Sequence, residues 1–125
     1  MSKSLIELGL VEVAEKVKKK EVSPVEVVQA CLEEIKAKDG EINAFITLTE
    51  DKALEQAKAA EQEIMSGQYK GELHGIPIAL KDNIYTKGVR TTIGSEIYKD
   101  FIPEEHAEIV NKLEASGAIS LGKVN

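Results

Sequence analysis

The chain has no tryptophan and only three tyrosines and two phenylalanines among its 125 residues. Proteins that bind single-stranded nucleic acid by stacking bases on aromatic platforms need more than this. There is one cysteine, Cys31, so no internal disulfide can form. It lies in "VVQACLEEI", a helical pattern, and reads as a small core residue because nothing nearby would favour its thiolate. No apolar run approaches the ~20 residues of a membrane span, and "MSKSLIELGL" lacks the apolar centre of a secretory signal. A reducing cytoplasm is the expected compartment. Positive charge is in the minority, with 16 Lys and Arg against 22 Asp and Glu, a net charge of -6. Such a chain has no general attraction to nucleic acid or to anionic membranes. The run "KVKKK" (Lys16 to Lys20) is a local exception, and it suits the negative end of a helix. His74 and His106 are the only histidines. Neither has a second histidine or cysteine at ligand spacing, so no metal site is expected.

With 42% hydrophobic residues the chain can bury a core, and its length is that of one domain or part of a larger one. The first half is patterned for helices near 10–20, 24–39 and 50–66. Leu10, Val13, Ala14 and Val17 recur at helical spacing. In "SPVEVVQACLEEIKAKDG", Ser23 is an N-cap, Pro24 falls at the first helical position and Glu26 completes a capping box. Val25, Val28, Leu32 and Ile35 line one face, and Gly40 is expected to stop the helix. "INAFITLT" alternates, with Ile42, Ala44, Ile46 and Leu48 on one side of an extended segment. Thr49 then opens a third helix. Its stripe is Leu54, Ala57, Ala60 and Ile64, alanine-rich enough for close packing, and Gly67 ends it.

From Gly75 the order becomes strand, loop, helix, strand, which predicts an α/β sheet. "IPIAL" is apolar at every position and suits a strand buried on both faces, with Pro77 at its start or on an edge. "PEEHAEIVNKLEASG" reads as a helix opening at Pro103, with Ile109, Val110 and Leu113 inward and His106 exposed in its first turn. "AISLG" is a second buried strand. Residues 76–81 and 118–122 should be parallel neighbours joined by the helix over 104–116. Residues 1–70 are thus read as a helical region and 71–125 as the beginning of an α/β core.

Lys81 stands directly after a buried strand, where functional groups of α/β sheets gather. A free lysine has a pKa of about 10.4, so base catalysis at neutral pH requires lowering it by about 3 units, roughly 4 kcal/mol of disfavoured charge. The ordinary reading of the local residues is a solvated lysine or one paired with Asp82. Ser95 in "TIGS" lacks a nucleophile elbow and reads as a turn hydroxyl. The glycines of "GVRTTIGS" are not followed by the Lys-Ser/Thr of a phosphate loop. His74 should pack at the strand's entrance.

"LHGIPIALKDNIYTKGVRTTIGS" and "PEEHAEIVNKLEASGAISLGKVN", preceded by "EVSPVEVVQACLEEI" and "INAFIT", together resemble the N-terminal part of an amidase signature enzyme over nearly the whole chain. His106 stands where the family usually has aspartate. The resemblance implies a mixed sheet of that family's type, a small-molecule amide as substrate, and no metal or organic cofactor. It also implies that Lys81 is the lysine of a Ser–cisSer–Lys triad. There, a neutral lysine takes a proton through a bridging serine, a second serine forms an acyl-enzyme, and backbone N–H groups hold the oxyanion. "TTIGS" fits a stand-alone amidase, whereas a Cys-Ala-Ser type run is expected in the amidase subunit of a tRNA-dependent amidotransferase.

Both serines and the Gly/Ser-rich loop of the family follow the segment matched by "GKVN" (Gly122 to Asn125). The expectation is an incomplete fold, inactive alone, that self-associates through unpaired sheet edges, exchanged segments or the apolar face of a displaced helix. The alternatives are the amidase subunit of a glutamyl- or aspartyl-tRNA amidotransferase, and a non-enzymatic interaction module built on the helical half.

Overall fold

The computed structural model describes residues 4–125. Helix α1 (Leu10–Lys18) is followed by α2 (Pro24–Ile42), β1 (Phe45–Leu48), α3 (Glu50–Met65), β2 (Pro77–Lys81), α4 (Glu108–Ala115) and β3 (Ile119–Val124), with 3-10 turns at Leu5–Glu7 and Glu96–Tyr98. The three strands form one mixed sheet in the order β1-β3-β2. β3 runs parallel to β2 and antiparallel to β1. The expected parallel pair joined by a helix is therefore present. The extended segment of the first half joins the same sheet on the other side of β3.

Helix α2 starts at Pro24 as its residues dictate, but without the capping box expected from Glu26. The Ser23 Oγ accepts from the Val25 N–H at 3.0 Å and not from that of Glu26. Gly40 does not stop the helix, which runs to Ile42 and ends where Asn43 adopts φ 55, ψ 42. The reason lies in Asp39. Its carboxylate accepts from the Ala44 N–H at 2.8 Å, and its carbonyl from the Asn43 N–H at 2.7 Å. A left-handed asparagine with both bonds in place caps better than a glycine three residues earlier. Ile42 is consequently exposed and not part of the strand.

The principal core lies between α2, α3 and β3. It comprises Val28, Leu32, Ala53, Ala57, Ala60, Ile119 and Leu121, with Val25, Ile35, Cys31, Phe45, Leu48 and Leu54 packed at its margin. The alanines of α3 allow the two helices to approach closely. A second cluster joins Val13, Ala14 and Val17 of α1 to Val27, Ile64 and Ile76. Leu10, expected in the α1 stripe, is instead exposed. A register shift between Phe45 and Thr47 sends both Phe45 and Leu48 towards the core, so β1 does not keep strict alternation.

Two further expectations of the second half are corrected. β2 begins at Pro77 and is a sheet edge, as expected of that proline, but it is not buried on both faces: Leu80 is buried while Ala79 and Lys81 are exposed. Helix α4 opens at Glu108, not Pro103, which leaves Ile109 exposed and Val110 buried. Segment 103–107 bonds elsewhere: the Pro103 carbonyl accepts from Gly88 N–H at 3.0 Å, and Ala107 N–H donates to Tyr85 at 2.9 Å. His106 therefore precedes the helix. Its Nδ1 accepts from the Lys87 N–H at 2.9 Å and its Nε2 faces Glu114 at 3.2 Å.

His74 is buried at the entrance of β2, as expected. Its Nδ1 accepts from the Lys70 N–H at 3.0 Å, so Nε2 carries the proton toward Glu63 at 3.3 Å. Gly117, at φ +87, is pressed against that ring; a Cβ there would overlap it.

Candidate active site

Lys81 is the last residue of β2 and pairs with Val124 of β3. Its side chain is exposed and makes no hydrogen bond or ion pair among the described residues. It borders a cavity of about 220 Å³ shared with Asn83, Ile93, Gly94 and Val124. A larger cavity of about 470 Å³ lies between α1 and the segment around Tyr69. It has Glu15, Lys18, Lys19 and Glu72 on its walls but lies away from the sheet. The Lys81 cleft opens at the carboxyl ends of parallel β2 and β3, where functional groups of α/β sheets gather, and is the better candidate.

Asp82 does not pair with Lys81. It turns inward, 3% exposed, and faces the wholly buried Lys123 of β3, with Oδ1 3.7 Å from Nζ. The Asp82 Oδ2 accepts from the Thr92 N–H at 3.0 Å and from the Thr92 hydroxyl. Lys123 Nζ donates to the Ile84 carbonyl at 2.7 Å and to the Thr91 hydroxyl at 2.8 Å. Burial pushes the Lys123 ammonium below its ordinary value, and the negative charge of Asp82 opposes that shift.

These contacts hold the chain that leaves β2. Asp82 N–H donates to Val124 at 2.8 Å, Ile84 N–H to the Lys81 carbonyl at 3.0 Å, and Ile93 N–H to the Asp82 carbonyl at 2.9 Å. Ile93 has φ 57, a left-handed conformation that a β-branched residue adopts only under constraint. The constraint comes from Thr92, locked on Asp82, and from Gly94, whose N–H approaches the Thr92 hydroxyl at 3.3 Å. Ser95 is a turn residue, as expected: its Oγ accepts from Ile97 N–H at 3.2 Å. Cys31 is half-buried with its thiol pushed up by burial, which makes it a poor nucleophile.

Comparison with known proteins agrees with the fold. The family model Amidase matches residues 26–125. The chain belongs to the amidase signature family. Among its relatives, the glutamyl-tRNA(Gln) amidotransferase A-subunit of Geotalea daltonii is 48% identical over 97% of this chain and 25% of its own length. The protein of the same name from Agathobacter rectalis is 43% identical over 97% and 24%. Among solved structures, peptide amidase from Stenotrophomonas maltophilia superposes with a TM-score of 0.89 at 34% identity, over 95% of this chain and 25% of that one. Fatty acid amide hydrolase gives 0.91 at 30% identity, over 97% and 21%. The chain thus spans about a quarter of the length of these amidase signature relatives.

The buried pair Asp82–Lys123 was not legible as a pair from sequence. Its available signal was a lysine inside the apolar strand "AISLGKV", a position where an unpaired charge is not tolerated.

Proposed function

We propose that this chain supplies the lysine of a Ser–cisSer–Lys amide hydrolase. In this reading a serine Oγ attacks the amide carbonyl while its proton passes through the bridging serine to Lys81 Nζ. The C–N bond then breaks, the amine leaves with a proton, and water hydrolyses the acyl-serine. The observation that carries the reading is the contrast at the carboxyl ends of β2 and β3. Lys123 and Asp82 are consumed by each other and by the loop, whereas the adjacent Lys81 has no side-chain partner among the described residues and borders a cleft.

The test is release of ammonia or amine from a panel of primary amides and anilides by the whole protein. Lys81→Ala should lower turnover by about 10²–10⁴-fold with folding unchanged. Wild-type turnover in Lys81→Ala would overturn the assignment. Residues 1–125 alone should show no hydrolysis above background, since neither triad serine is matched within them. Alone they should also self-associate, because β1 and β2 each leave a sheet edge unpaired. A monomer at high concentration in light scattering would contradict that.

A second reading has its own support in the identity to the amidotransferase relatives, which exceeds that to the solved amidases. In it, the whole protein works in an assembly that amidates glutamyl-tRNA. Against it stands "TTIGS". Glutamine-dependent amidation of glutamyl-tRNA by the whole protein with its companion subunits would favour this reading. Amide hydrolysis without companions would favour the first.

A further inference from the structure

We infer that Asp82 and Lys123 are positioning residues for Lys81, acting through the turn that leaves β2 and assisted by Thr91 and Thr92. The inference rests on the proposed role of Lys81 and adds to it the device that aims that side chain.

Lys81 has no side-chain partner of its own among the described residues, so the direction of its Cα–Cβ bond must come from its backbone. That backbone is tied at Asp82 and Ile84. The Lys81 carbonyl accepts from Ile84 N–H, and the Ile84 carbonyl accepts in turn from Lys123 Nζ at 2.7 Å. Asp82 is held by Val124 through its N–H, by Ile93 through its carbonyl, and by Thr92 through its carboxylate. One buried ammonium therefore links three chain segments: β3, the turn at Ile84 and the return segment at Thr91. The return segment carries the constrained Ile93 to the cleft that Lys81 borders.

An ion pair so fully buried is costly compared with apolar residues of the same volume, which would hold a loop at least as firmly. What apolar residues lack is direction. Ammonium and carboxylate bonds set where the turn's carbonyl and the Thr92 N–H point, and these set Lys81. A misplacement of about 1 Å at a reacting group costs up to about a hundredfold in rate.

The test uses the whole protein and a fluorescent alkyl fluorophosphonate. In this reaction the activated serine Oγ forms a bond to phosphorus, fluoride leaves, and the serine proton passes towards Lys81. Labelling rates are compared for wild type, Lys81→Ala, Lys123→Met, Asp82→Asn, Thr91→Val and Thr91→Ser, each below its unfolding temperature. Leu32→Ala serves as a destabilised control remote from the cleft. The expected result is slowing of about tenfold or more in Lys123→Met and Asp82→Asn. Thr91→Val, which keeps its volume and loses one bond, should slow by about threefold to tenfold. Thr91→Ser should recover most of that rate, and Leu32→Ala should label as wild type does. The pH–rate profile should also shift in Thr91→Val and return in Thr91→Ser, which a merely structural hydroxyl would not cause. Slow labelling of Lys81→Ala alone, with folded Thr91→Val and Asp82→Asn at the wild-type rate, overturns the inference. Equal labelling of Lys81→Ala and wild type overturns the functional reading itself, and this inference with it.

Discussion

The two halves of the molecule are held together by different physics. Between α2, α3 and β3 the buried residues are Val28, Leu32, Ala53, Ala57, Ala60, Ile119 and Leu121, with no charge among them. Between β2 and α4, residues 82–107 contain only one short 3-10 turn of regular structure, Glu96–Tyr98. Their interior is built from Asp82, Thr86, Thr91, Thr92, Val89 and Pro103, closed against Lys123. A helix satisfies its own backbone, so it needs only an apolar stripe to pack. An irregular segment must find partners for each buried N–H and C=O, and here side chains and distant carbonyls provide them. The aromatic contacts Tyr85–Phe101 and Tyr98–Phe101 cover this region from outside. The cleft lies in the polar half, where directional bonds hold groups in place; the apolar half supplies the support.

This contrast can be broken from the polar side first. Asp82→Ala should cost about 3–5 kcal/mol, because it leaves the Lys123 ammonium buried without its carboxylate. Replacing both groups, as Asp82→Leu with Lys123→Met, should recover most of that loss, read as the urea midpoint. If the double variant is no more stable than Asp82→Ala, the pair is not a buried ionic unit.

From the apolar side, Leu32→Ala should cost about 2–4 kcal/mol by leaving a cavity between α2 and α3. No partner substitution of a polar kind should rescue it. Hydrogen exchange would sharpen the difference. Leu32→Ala should raise exchange in α2 and α3, and Asp82→Ala should raise it in residues 82–95. Uniform acceleration across both regions would show a single cooperative unit instead.

The smallest effect is a pH dependence confined to the polar half. Lys123 has a folded-state value below the ordinary 10.5 of an unfolded chain, because burial disfavours its charge more than Asp82 favours it. In the window between those two values the unfolded chain binds more protons, so stability rises with pH across it. The increment should be present in wild type and absent in Lys123→Met, measured by urea unfolding on the alkaline side. A wild-type curve parallel to that of Lys123→Met would contradict it.

Much of the helical half follows from local signals. Ser23 and Pro24 open α2, the alanines of α3 meet α2, and parallel β2 and β3 follow from the strand–helix–strand order. The errors fall where a tertiary contact outweighed a local preference. Asp39 capped α2 past Gly40, the Tyr85–Gly88 turn drew residues 103–107 away from α4, and β1 acquired a register shift. Lys81 could be singled out in the sequence because its neighbours form a long specific motif. Its exposure was one of the two ordinary readings of the local residues; the turning of Asp82 away from it towards Lys123 could not be read.

The sequence by itself determined the order of helices and strands, most of their apolar faces, and the family to which the chain belongs. Periodicity, caps and motifs act over a few residues and are written in the order of the chain. Only the tertiary structure decided which of two lysines is buried and which is available. That choice depends on Lys123 meeting Asp82, Ile84 and Thr91, residues far earlier in the chain, in a place that exists once β3 lies beside β2.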